Sequence, residues 1–149
     1  MKPIIKKILS LLAVAVIATT TMGIGVDAYH LYGEDESTTS TSYGTLKCEL
    51  SCLQEIGYPT GYREFDVFSS VTNTAPKLWF EVEVIPYPSG GAVIDEYSSW
   101  GYNTTAHGGY LESHHWSNPK QKVTAYGCSE VRNSSNTYSR ATYTSLINM

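Results

Sequence analysis

Over residues 78–85 the chain alternates without a fault, with Leu78, Phe80, Val82 and Val84 falling to one side and Trp79, Glu81, Glu83 and Ile85 to the other. Successive side chains of a strand point to opposite faces, so this segment is a strand with one wholly apolar face. The same period of two sets Leu46, Cys48, Leu50 and Cys52 against Lys47, Glu49 and Ser51, and it recurs through Phe65, Val67, Ser69 and Val71. After residue 28 no segment carries apolar residues at helical spacing. An all-β protein is the class these patterns allow.

Turn signals divide the chain into about seven short strands. Gly57, Pro59 and Gly61 interrupt the first and second alternating runs, and residues 73–76 break the chain before Leu78. Pro86, Pro88, Gly90 and Gly91 cannot continue a central strand, so residues 92–100 are expected to return antiparallel as the second arm of a hairpin. Residues 101–109 read as a loop, 110–116 as a short strand, and Ser117-Asn118-Pro119 as a turn into residues 123–126. Asn133-Ser134-Ser135-Asn136 gives a last turn before residues 137–147. The expected fold is an antiparallel β-sandwich, which suits a chain rich in Tyr, Thr and Ser.

The first 28 of 149 residues carry a different pattern. Lys2, Lys6 and Lys7 precede an apolar run over residues 8–18, and Val26-Asp27-Ala28 offers small residues at a cleavage position. This reads as a cleaved signal helix, too short for a membrane span of about 20 residues. The expected domains are therefore a signal peptide at 1–28, a flexible acidic Ser/Thr-rich tail at 29–44, and a β-sandwich at 45–149. Without its leader the chain has seven Lys and Arg against thirteen Asp and Glu, a net charge of −6. That balance, with the basic residues scattered, argues against a nucleic-acid partner.

Cys48, Cys52 and Cys128 enter an oxidising exterior, where pairing is favoured. On one extended strand Cys48 and Cys52 lie roughly 13 Å apart, beyond disulfide reach. Cys128 is the natural partner of one of them, and either bond would close a loop of about 76 to 80 residues worth about 3–4.5 kcal/mol. The alternative is three buried thiols that never meet. Strand parity holds a tension here: a Cys128 facing inward takes Thr124 and Tyr126 with it, whereas hydropathy would rather bury Val123 and Ala125. A bulge at Gly127 would resolve it.

No catalytic or cofactor signature is present. Ser113 beside His114 lacks the nucleophile elbow and an orienting acid, and the pairs Glu81/Glu83 and Asp95/Glu96 alternate on strands that solvate one face. His114 and His115 on a regular strand point apart, so a metal would need His107 with one of them and Glu112 or another carboxylate, a spacing that matches no metal motif. No metal or cofactor is expected. The aromatic residues carry more promise, because Trp79 falls on the polar face of its strand and Trp100 and Trp116 close two others. Exposed rings stack on sugars or anchor partners, which makes Trp100, Tyr102, His107, Tyr110, His114 and Trp116 the candidate contact residues.

Tyr110-Leu111-Glu112-Ser113-His114-His115-Trp116-Ser117, then Val123-Thr124-Ala125, then Tyr138-Ser139-Arg140-Ala141-Thr142 resembles the lactococcin 972 family of small secreted bacteriocins. The resemblance covers residues 100–147. It implies a compact β-sandwich from a Gram-positive bacterium that engages the lipid-linked cell-wall precursor. The long stretch between the leader and the matched part, and the acidic charge, depart from that pattern. The expectation is thus a secreted, non-enzymatic extracellular domain that binds a cell-envelope ligand, a glycan or a lipid-linked precursor. A bacteriocin is the alternative, and a small secreted hydrolase ranks third.

Overall fold

A computed structural model describes residues 28–56, 62–88 and 91–149, so the expected signal peptide lies outside the described residues apart from Ala28. Among the described residues six strands form: β1 (Ala28–Thr41), β2 (Gly44–Ile56), β3 (Arg63–Pro86), β4 (Asp95–Glu112), β5 (Val123–Arg132) and β6 (Ser139–Ile147). One 3-10 turn among the described residues, Ser113–His115, follows β4. All six strands belong to one antiparallel sheet in the order β1-β2-β3-β5-β6, with β4 paired to β3 outside that path. One continuous sheet thus stands where a two-sheet sandwich of seven strands was expected.

The long β3 explains how one sheet encloses a core. β4 runs along both of its halves, while β2 pairs with residues 63–71 and β5 with residues 77–86. Between Ser70 and Ala75 the β3–β4 register shifts, and across this bend the Ser69 hydroxyl donates to the Trp79 carbonyl at 3.2 Å. The segment 73–76, expected to end a strand, therefore bends one; Pro76 lacks the N–H that a straight ladder would use. β4 bends with it. A Cβ on Gly101 would come within 2.9 Å of His107 Cγ, so glycine is what lets the two halves of β4 approach.

Folded at this corner, the sheet sets β2 against β5 and β6 and brings β1 alongside β6. The result is a nearly closed barrel. Its seam is made by side chains: Thr144 Oγ1 donates to Asp35 Oδ2 at 2.5 Å, and Thr142 Oγ1 donates to Ser37 Oγ at 2.8 Å. Segment 29–44, expected as a mobile tail, is thus largely strand β1, paired with β2 from Ala28 to Thr41. Backbone ladder bonds and the seam order it while its Leu31 and Tyr32 side chains stay exposed, a route that composition does not show.

The alternating runs supply the core. Leu46, Cys48, Leu50 and Cys52 of β2 and Leu78, Phe80, Val82 and Val84 of β3 are all at most 1% exposed, joined by Phe65, Val67, Val123, Ala125 and Val131. Each Leu, Val or Phe so buried contributes about 1.5–3 kcal/mol before entropy is charged against it.

The cysteines are buried and free, so the expected staple is absent. Register gives the reason. β5 runs without a bulge, pairing Val123, Ala125, Gly127, Ser129 and Val131 with the rows that face inward, and Cys128 opposes the outward Glu81. A Cβ on Gly127 would lie 3.3 Å from Cys48 Sγ, so the thiol of Cys48 meets the glycine on the inner face while Cys128 turns away under Tyr143. Burial pushes the Cys48 thiol up to about 11 and those of Cys52 and Cys128 up to about 12, which keeps them protonated and slow to oxidise.

Candidate functional site

Two outward clusters lie along the β3–β4 ribbon. Near the bend, register pairs Trp79 with Trp100, and the indoles stack with centroids 5.9 Å apart and planes 28° from parallel. Glu130 of β5 opposes Trp79 on its other side, and in the next row Tyr102, Lys77 and Arg132 line up across three strands. Arg132 grips Glu130 through two nitrogens, at 2.5 and 3.0 Å, and lays its guanidinium 4.9 Å from the Trp100 centroid. Burial alone would raise the Glu130 carboxyl, but hydrogen bonds from Arg132 and Ser139 hold it below its usual range. Tyr102 and Tyr143, 64% and 69% exposed, extend the aromatic surface. The cluster offers flat apolar rings bordered by fixed hydrogen-bonding charges.

At the other end of the ribbon Glu64 opposes Glu112 and Asp66 opposes Tyr110, all facing outward. Asp66 is hydrogen-bonded to Glu64, yet burial still raises its carboxyl above the usual range. After Glu112 the strand gives way to the 3-10 turn, and this changes where the histidines point. His114 Nε2 lies 3.2 Å and His115 Nε2 3.5 Å from the same oxygen, Glu112 Oε2. Their rings stand 4.1 Å apart, and Tyr62 meets His114 edge-on at 6.1 Å. The expectation that adjacent histidines must diverge fails because it assumed a strand continuing to Trp116.

Buried neighbours fix this turn on both sides. Ser113 is fully buried and its Oγ accepts the Arg63 backbone N–H at 2.7 Å. Trp116 stacks on Phe65 at 5.9 Å, and its Nε1 donates to Asp95 Oδ2 at 3.1 Å. Arg63 Nη2 donates to the carbonyls of Pro119 and Gln121 at 3.0 and 2.6 Å. Beside the turn lies an open groove of about 460 Å³, whose walls include Asp95, His115, Trp116, Asn118 and Gln121.

The six candidate contact residues therefore do not share one surface. Trp100 and Tyr102 belong to the aromatic cluster, and His114 belongs to the histidine turn. Tyr110 stands exposed on the outer face opposite Asp66. Trp116 is a core residue, 8% exposed, that closes the barrel end. His107 faces inward against Phe80, with ring centroids 4.9 Å apart, and its Nε2 is buried without a hydrogen-bond partner. The candidate set omitted Trp79, Arg132, Glu112 and His115. Trp79 was visible as an aromatic residue on a polar face, whereas Arg132 needed the strand order and His115 needed the turn. Compared with protein-family models, curated proteins and solved structures, the chain matches none.

Proposed function

We propose that this chain is an exported, non-enzymatic binding domain that holds a glycan of the cell envelope on the outer face of β3, β4 and β5. The stacked pair of Trp79 and Trp100 carries the reading. Both indoles are half-buried on the outward side of β3 and β4, opposite the buried row of Leu78, Phe80 and Val82, and so are not part of the core. Sugars present flat C–H faces to such rings and hydroxyls to neighbouring donors and acceptors, and here Arg132, Glu130 and Lys77 border the pair. The apolar leader at residues 8–18 supports release to the exterior, where such ligands are found.

Retention of the purified protein on isolated cell-wall glycan tests this reading. Wild type is expected to bind, and Trp100→Ala to lose roughly tenfold in affinity, about 1.4 kcal/mol. Equal retention of wild type and variant would overturn it. Growth inhibition of Gram-positive cells, relieved by added lipid-linked precursor, would replace it with the bacteriocin reading that the resemblance at residues 110–142 implies. The mature N-terminus, read by sequencing protein recovered from culture medium, is expected near Tyr29.

A further inference from the structure

We infer that Glu112, His114 and His115 form a divalent transition-metal site, with Zn²⁺ as the ion whose geometry they fit. This does not depend on glycan binding, since it rests on the other end of the β3–β4 ribbon. One donor atom from each of the three residues lies within 4.8 Å of the others. The two imidazole nitrogens stand 3.2 and 3.5 Å from one carboxylate oxygen. Ligands about 2.1 Å from a tetrahedral ion are separated by about 3.4 Å, so each histidine nitrogen already stands from the carboxylate oxygen as a bound ion would place it, and the third separation, within 4.8 Å, closes by a small ring movement. Two imidazoles and a carboxylate are a zinc donor set, harder than the thiolates of structural fingers.

Preorganisation and charge point the same way. Ser113 and Trp116 are buried on either side of the histidines, so the turn cannot straighten into strand without uncovering both. Ordering cost at the site is thereby met by the fold. Glu64 sits directly opposite Glu112, with Asp66 hydrogen-bonded to it, which makes this outward row acidic. The nearest cation in sequence, Arg63, directs its guanidinium to the carbonyls of Pro119 and Gln121.

Three protein ligands leave a fourth position open on the exposed side, where the His115 side chain is 69% accessible. His115 also borders the groove of about 460 Å³, so an oxygen or nitrogen donor of a molecule lying there completes the coordination. The test is a calorimetric titration of Zn²⁺ into chelator-treated protein, with the histidine ring signals followed by NMR. One ion per chain is expected, with the shifts confined to His114 and His115. His114→Ala, His115→Ala and Glu112→Gln should each weaken binding at least about tenfold. His107→Ala, on the inner face, should leave it unchanged. No saturable binding, or binding that survives His115→Ala undiminished, would overturn the proposal.

Discussion

The two outward clusters on the β3–β4 ribbon are built by opposite means. Trp79 meets Trp100 because the ladder keeps its register from Lys77 to Val84, so residues directly opposite share a face. Glu112, His114 and His115 meet because the ladder stops: a 3-10 turn rotates successive residues by about 120° where a strand would reverse them. One cluster is a product of strand regularity and the other of its termination. The first is held by neighbours on the same face. The second is held by Ser113 and Trp116, which anchor it from beneath.

That difference predicts how each can be broken. Trp116→Ala has the largest expected effect, because it removes the stack on Phe65 and the hydrogen bond to Asp95 together. Denaturant unfolding should show a loss of about 3–5 kcal/mol. In the folded fraction the His114 and His115 signals should broaden while those of Trp79 and Trp100 stay in place; equal disturbance of both clusters would erase the distinction.

A smaller effect is expected from Asp66→Asn at the acidic end. Burial raises the Asp66 carboxyl, although the hydrogen bond from Glu64 opposes this, and Ser51 and Tyr110 flank it on the adjoining strands. A carboxyl raised by folding stabilises the fold most below its unfolded value of about 3.9 and loses that contribution as pH rises through the folded value. The contribution of Asp66 should therefore fall as pH rises above about 4, so the gap between wild type and Asp66→Asn should change over that range. The neutral amide should flatten that fall and raise the urea midpoint at pH 7. An unchanged pH profile would remove Asp66 from the account.

The smallest effect is none. Since the same β5 register that sets Glu130 against Trp79 turns Cys128 away from Cys48, added reductant should leave the melting temperature where it was. A lowered midpoint would mean that a thiol pair forms after all.

These outcomes also mark where the sequence was readable. The inward faces of β2 and β3 could be written down from alternation alone, because Leu46 to Cys52 and Leu78 to Val84 bury what their parity says. Alternation could not say that residues 73–76 bend the chain without ending the strand, since a polar break looks the same either way. It could not find β1, whose Ser and Thr side chains bond across a seam that exists only once the sheet has folded over. A disulfide would need Cys128 inward, whereas the hydropathy of Val123 and Ala125 agrees with the observed register, which sets Cys128 opposite Glu81. The histidine turn was hidden for a different reason. Nothing local distinguishes residues 113–115 from strand, and the turn forms because Trp116 has a place on Phe65, contributed by a strand some fifty residues earlier.

The β1–β6 seam has a mechanical meaning. Elsewhere around the wall, pulling neighbouring strands apart breaks a ladder of backbone bonds along their length, but here the described residues are laced by hydroxyl and carboxylate contacts at Thr142 and Thr144. The barrel is a rolled sheet with its two margins buttoned together. Under load it should split along that line first, baring both margins while the five strand ladders hold.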